Sequence, residues 1–180
     1  MSQAIVTEIL EVEEDTQKGK YLTFSLGTEF YGLEIKFVTE IIGMQAITEV
    51  PELPAYIRGI INLRGKIIPV MDVRLRFNKE VKEYNDRTCI IVIDISDMCV
   101  GLIVDSVSEV LSITDENIVV PPDVGKVTNG FIKGIGKVDS EVKLILDCHK
   151  LLNENDEIIL DNIHYVILKQ AIIAKEAVNL

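Results

Sequence analysis

The side chains that could carry chemistry in this sequence are two histidines, three cysteines and a scatter of carboxylates. His149 and His164 lie outside the H-E-x-x-H spacing that sets two imidazoles and a general base on one helical face. His149 directly follows Cys148, and adjacent residues rarely reach one metal ion, so no metal ligand is expected among them. Cys89, Cys99 and Cys148 make no C-x-x-C pair and are odd in number, which predicts reduced, packed thiols in a cytoplasmic protein. The run Gly130 to Lys137 (GFIKGIGK) lacks the P-loop glycine spacing and the Ser or Thr after its lysine, so it predicts a β-turn and no phosphate cradle. There is no G-x-S-x-G elbow and no Cys–His nucleophile motif. The expectation is a non-enzyme without catalytic residues, cofactor or metal.

Carboxylates leave one enzymatic alternative, a hydrolase whose acid and base lie far apart in the chain. A bell-shaped pH profile on a substrate panel would mark it. Asp72 and Asp147 are the tempting pair, but each closes an apolar strand at an equivalent place, which argues for a cap on the following turn. Arg64 is different. It sits in Asn62-Leu-Arg-Gly65 at the tip of an expected hairpin, and the corresponding residue farther along the chain is Asp139, so no repeated scaffold demands an arginine there. Glu40 has Glu109 as its counterpart, and it could form an ion pair with Arg64 near an interface.

The elements that must position these residues are mostly strands. Tyr21–Leu26 and Phe30–Ile35 alternate around a Gly27-Thr-Glu turn and predict a hairpin. Phe37–Ile42 predicts a short helix, with Phe37, Val38, Ile41 and Ile42 on one face. Pro51 and Pro54 precede a second hairpin, Tyr56–Leu63 and Lys66–Val73, turned by Arg64-Gly65, in which Pro69 predicts an edge strand or a bulge. Strand patterns return at Cys89–Ile95, Val100–Val107, Phe131–Val138 and Val142–Asp147. The acidic residues 1–19 predict a flexible leader with a helix over Ile5–Val12, 78–87 a linker, and 153–180 a helical C-terminal extension.

The strand patterns repeat. An offset of 69 residues pairs Gly32 with Gly101, Leu33 with Leu102, Val38 with Val107 and Glu40 with Glu109. An offset of 75 pairs Ile57, Gly59, Ile60 and Asp72 with Ile132, Gly134, Ile135 and Asp147. The order of these matches argues for an internal duplication, with β-barrel subdomains at 20–77 and 88–152. Units this small bury thin cores, so the two should lean on each other.

The charge narrows the function classes. Acidic residues number 29 against 18 basic ones, a net −11, which disfavours phosphate backbones and anionic lipid surfaces. A nucleic-acid-binding tandem barrel needs a basic groove with exposed aromatics, whereas the chain has no tryptophan and five phenylalanines, mostly in strand patterns. No apolar run approaches the length of a membrane span.

The stretch from Phe30 to Ile42 (FYGLEIKFVTEII), the Val50-Pro51 pair and the stretch from Ile57 to Arg74 (IRGIINLRGKIIPVMDVR) resemble the CheW family of bacterial chemotaxis coupling proteins. The second half agrees in Val100 to Val110 (VGLIVDSVSEV), Ile132 to Ile135 (IKGI) and Leu144 to Asp147 (LILD). The resemblance spans about residues 20–152 and is most specific in N-L-R-G followed by I-P-x-x-D. It implies an all-β fold of two five-stranded SH3-like barrels packed around a shared core. It also implies an adaptor that bridges transmembrane chemoreceptors to the regulatory domain of the histidine kinase CheA. The receptor's cytoplasmic hairpin tip would dock in a groove near Val38, Glu40 and Arg64. The kinase contact stays unassigned, with edge strands around 97–104 and 131–138 as candidates. Such a protein would be cytoplasmic, held at the inner membrane face through receptors and not inserted in it.

Overall fold

The computed structural model describes residues 16–120, 130–152 and 154–178. The N-terminal helix expected over Ile5–Val12 lies outside the described residues. Among the described residues from Lys20 onward, runs of β-branched and aromatic residues form eleven strands in two sheets. The first hairpin is β1 (Lys20–Leu26) and β2 (Glu29–Glu34). A 3-10 turn at Ile35–Phe37 leads into β3 (Val38–Gly43), and β4 (Ile57–Leu63) and β5 (Lys66–Asp72) form the second hairpin. The second half supplies β6 (Cys89–Ile95), β7 (Met98–Val104), β8 (Ser106–Ser112), the two-residue β9 (Ile118–Val119), β10 (Ile132–Val138) and β11 (Glu141–Leu146). One-turn helices α1 (Val73–Arg76) and α2 (Cys148–Leu151) follow β5 and β11, and α3 (Glu154–Val178) ends the chain.

The order β8-β1-β2-β11-β10-β9 makes one sheet and β3-β6-β7-β5-β4 the other. Under the sequence offsets, the first five strands of one order map onto the five of the other, so the two barrels are duplicates. Their details agree. Gly32 of β2 pairs in parallel with Ile145 of β11, and Gly101 of β7 with Val70 of β5. The register shifts at Ile57/Gly59 against β5 and at Ile132/Gly134 against β11. The two glycines recur because the parallel crossing is tight. A Cβ at Gly32 would stand 3.0 Å from Ile145 Cδ1, and one at Gly101 2.9 Å from Val70 Cγ1.

Each sheet nevertheless draws on both repeats: the first hairpin of one repeat is inserted into the strands that end the other. The cause lies in strand direction. β3 runs antiparallel to β6, and β8 antiparallel to β1. If β8 closed onto its own repeat's β6, it would lie parallel to β7, and parallel strands in one sheet need a crossover of about a dozen residues. The link from β7 to β8 is Asp105 alone, and that from β2 to β3 is the 3-10 turn. Each chain segment therefore continues straight into the other barrel.

Three apolar clusters follow from this exchange. Ile61, Leu63, Ile68, Val70, Ile90, Val92 and Ile103 fill one barrel, while Tyr21, Ile113 and Ile145 centre the other. Between them a larger cluster joins Leu22, Phe24 and Leu33 to Met71, Ile91, Ile93 and Leu102. Alternate residues of β6 point into its own barrel and into the shared core, so both faces are covered and the run Cys89–Ile93 is continuously apolar, ending at the exposed Asp94.

Several local expectations change. Val38–Gly43 is a strand, because the exposed–half-buried alternation of Val-Thr-Glu-Ile-Ile has period two and β6 offers an open edge. β8, unseen as a separate strand, begins at the Asp105 bend. Pro69 lies in an interior strand, tolerated one residue before the parallel pairing begins at Val70, while the bulge falls on β4. β7 is also interior, paired with both β6 and β5, and β10 lies between β11 and β9, so neither is an edge. Residues 78–87 contain no helix or strand, but the segment is pinned where the Tyr84 hydroxyl donates to Asp72 Oδ2 at 2.8 Å.

Asp105 ties the barrels together at the bend. Arg74, from α1, donates to both its carboxylate oxygens at 2.7 and 2.6 Å, and the Gly27 N–H of the β1–β2 turn donates at 2.7 Å. Burial would raise this carboxyl, but the Arg74 and Gly27 hydrogen bonds and the charges of Arg74 and Lys82 outweigh it and hold the pKa below the usual aspartate value. Asp105→Asn is expected to cost about 2–3 kcal/mol by leaving Arg74 poorly paired, lowering the melting temperature by roughly 4–12 °C. Because the folded pKa is the lower one, the ionised carboxylate stabilises fully above about pH 4, the unfolded value, and this contribution fades as pH falls through the folded value. Melting curves of both proteins should therefore converge in acid. A gap that persists at pH 2 would contradict the assignment.

Candidate partner-binding site

Asp72 and Asp147 serve as matched caps. Asp72 accepts from the Leu75 N–H at 3.3 Å and Asp147 from the His149 N–H at 3.1 Å, each opening a one-turn helix. His149 packs edge-on against Phe37, and His164 is exposed on α3. The three cysteines are unpaired. Cys148 is 2% exposed, and burial pushes its thiol up to about 12, so it is expected to resist alkylation in the native protein at pH 8 and to react fully after denaturation. Rapid native labelling at Cys148 would contradict this.

The polar asymmetry lies at the β4–β5 turn. Arg64 and Gly65 both have positive φ, +52° and +86°, the conformation of a two-residue hairpin loop. The Asn62 side chain locks it, its Oδ1 accepting the Gly65 N–H at 2.8 Å. Asn62 thus explains the first letter of N-L-R-G, a role that hydropathy patterning does not reveal. At the turn's tip Arg64 Nη2 donates to Glu40 Oε1 at 2.5 Å. The arginine side chain remains 71% exposed and the glutamate 30%. β3 and β4 are the two outer strands of their five-stranded sheet, so this contact exists because the sheet rolls up and brings its ends together.

Of the three expected site residues, Glu40 and Arg64 are joined directly. Val38 lies two positions before Glu40 on β3, half-buried against the shared core. The bulge between them, at Thr39, is fastened by the Thr39 hydroxyl donating to the Val92 carbonyl at 3.1 Å. Ile41, beside Glu40, is 44% exposed and gives β3 an apolar surface that the helical reading hid. The equivalent turn of the other barrel carries Asp139, also at positive φ, so the φ at this position is duplicated while its charge is reversed. An exposed cation, an acidic partner holding it and an adjacent apolar strand suit recognition of a surface; they offer no nucleophile or proton relay.

A CheW-like domain model matches residues 20–156 of the chain. The chemotaxis protein CheW of Klebsiella aerogenes is 34% identical over 150 residues, covering 83% of this chain and 90% of the relative. That of Bacillus subtilis is 35% identical over 136 residues, covering 75% and 87%. Among solved structures, the scaffolding protein TtCheW from Thermoanaerobacter tengcongensis superposes with a TM-score of 0.71 at 41% identity, covering 77% of this chain and 94% of that one.

Proposed function

The chain belongs to the CheW-like family of chemotaxis scaffold proteins, and we propose that it links the cytoplasmic tips of transmembrane chemoreceptors to the regulatory domain of the histidine kinase CheA. The observation that carries this reading is the Arg64–Glu40 pair. An arginine raised on a locked turn, opposite in charge to its duplicate, meets no need of the barrel and is placed to meet an acidic partner. The receptor hairpin would set apolar residues against the surface around Val38 and register its charges against Arg64 and Glu40. The protein acts by holding partners together and performs no catalysis. Among the described residues no helix is long and apolar enough to cross a membrane, in keeping with a cytoplasmic protein recruited to the inner face through its receptors.

The test is a three-component assay with the full chain, the CheA regulatory domain and a receptor cytoplasmic fragment. The expected result is co-sedimentation of kinase domain and receptor only when the chain is present. Binding of neither component by itself would defeat the reading.

A further inference from the structure

The helix α3 has two apolar faces, and the barrels cover only one. Leu160 and Ile163 are buried against the shared core, and Asp156 is anchored there by the Tyr56 hydroxyl and by Arg76 Nη2 at 3.5 Å. On the opposite side Ile158, Tyr165, Leu168 and Ile172 recur at spacings of seven, three and four, each at least half exposed. Leu168, Lys169 and residues 172–178 are exposed, so the distal helix presents these side chains away from the barrels. A free helical segment of this length is marginal in water, and its stability must come from packing. The matched family domain ends at residue 156, at the foot of this helix.

The charges identify the occupant. Within the free stripe, one heptad on either side of Leu168, Asp161 lies near the body and Lys175 near the tip, both exposed. A two-fold axis through Leu168, perpendicular to the helix, sets Asp161 of one copy level with Lys175 of an antiparallel second copy, and does so twice. The apolar residues then face each other across the axis, in the seam expected of a short antiparallel coiled coil. From the opposed apolar faces and the self-complementary charges within the free stripe, we propose that α3 is a homodimerisation helix that pairs two copies of this chain antiparallel through Tyr165, Leu168 and Ile172. A scaffold so paired would carry two copies of the Arg64 site.

Sedimentation equilibrium on the full chain, from about 1 to 300 µM, should show reversible dimerisation. Leu168→Glu with Ile172→Glu should weaken it roughly a hundredfold or more, with the barrel melt unchanged. Asp161→Lys or Lys175→Asp alone should weaken it roughly tenfold, and the double reversal should restore it. This charge swap also serves if the glutamates reduce helix content. A wild type that stays monomeric across the range overturns the proposal, as does a dimer indifferent to Leu168→Glu or a double reversal that fails to rescue. A monomeric chain in which the glutamates abolish kinase or receptor binding would assign the stripe to another protein and equally overturn it.

Discussion

Neither repeat is expected to fold alone. Residues 16–87, expressed as a fragment, would carry the hairpin β1–β2 without its neighbours β8 and β11, and β3 and β5 without β6 and β7. The fragment cannot repair this internally, since the three-residue turn between β2 and β3 is far short of a parallel crossover. Leu22, Phe24 and Leu33, fully buried in the whole protein, would lose the facing Ile91, Ile93 and Leu102. A unit of this size has little stability to spare. The expected outcome is a fragment with no cooperative thermal transition and dispersed amide resonances absent. Residues 88–178 should behave likewise, and co-expression of the two should recover a complex that melts cooperatively. A monomeric fragment with a sharp melt would show that the barrels close without exchange.

Arg64→Glu is expected to abolish receptor binding while sparing the fold. The arginine is mostly exposed at a turn whose geometry depends on Asn62 and Gly65, so its loss should shift stability by about 1 kcal/mol or less. The new glutamate faces Glu40, a like-charge contact that adds to the loss of a cation at the proposed rim. Loss of a close charge pair at an interface costs roughly 2–5 kcal/mol, more than tenfold in affinity. The structure supplies a control that separates an internal role from a partner role. Exchanging the two residues, Glu40→Arg with Arg64→Glu, restores an ion pair across the rolled sheet but moves the exposed cation onto β3. If Arg64 only braces the barrel, the exchange should rescue receptor binding; if it contacts the receptor, binding should stay lost. Kinase-domain binding, measured by titration calorimetry on the same proteins, should change much less. Normal receptor binding by Arg64→Glu would end the claim.

The sequence by itself determined the composition of the elements and the existence of a repeat. Alternating apolar residues set both hairpins in place, and Gly32 with Gly101 marked a shared backbone demand that the structure resolves into a parallel crossing where a Cβ would crowd its neighbours. The Asp72 and Asp147 caps were legible for the same reason: an effect confined to a few neighbouring residues is written in those residues. The Arg64 site stood out because a duplicated chain carries its own control, and a charge that differs between repeats is free of the scaffold. Tertiary structure decided which strands share a sheet. Apolar alternation says that a strand has buried faces and not what covers them, so β3 passed for a helix and β7 for an edge. The exchange of hairpins rests on the shortness of the β2–β3 and β7–β8 links, which becomes meaningful only when strand directions are known. The Arg74–Asp105 tie, the Tyr56 anchor of α3 at Asp156 and the meeting of Glu40 with Arg64 join residues 31, 100 and 24 positions apart in sequence. Such contacts depend on how the sheets roll and pack, a property of the whole chain that local pattern does not carry.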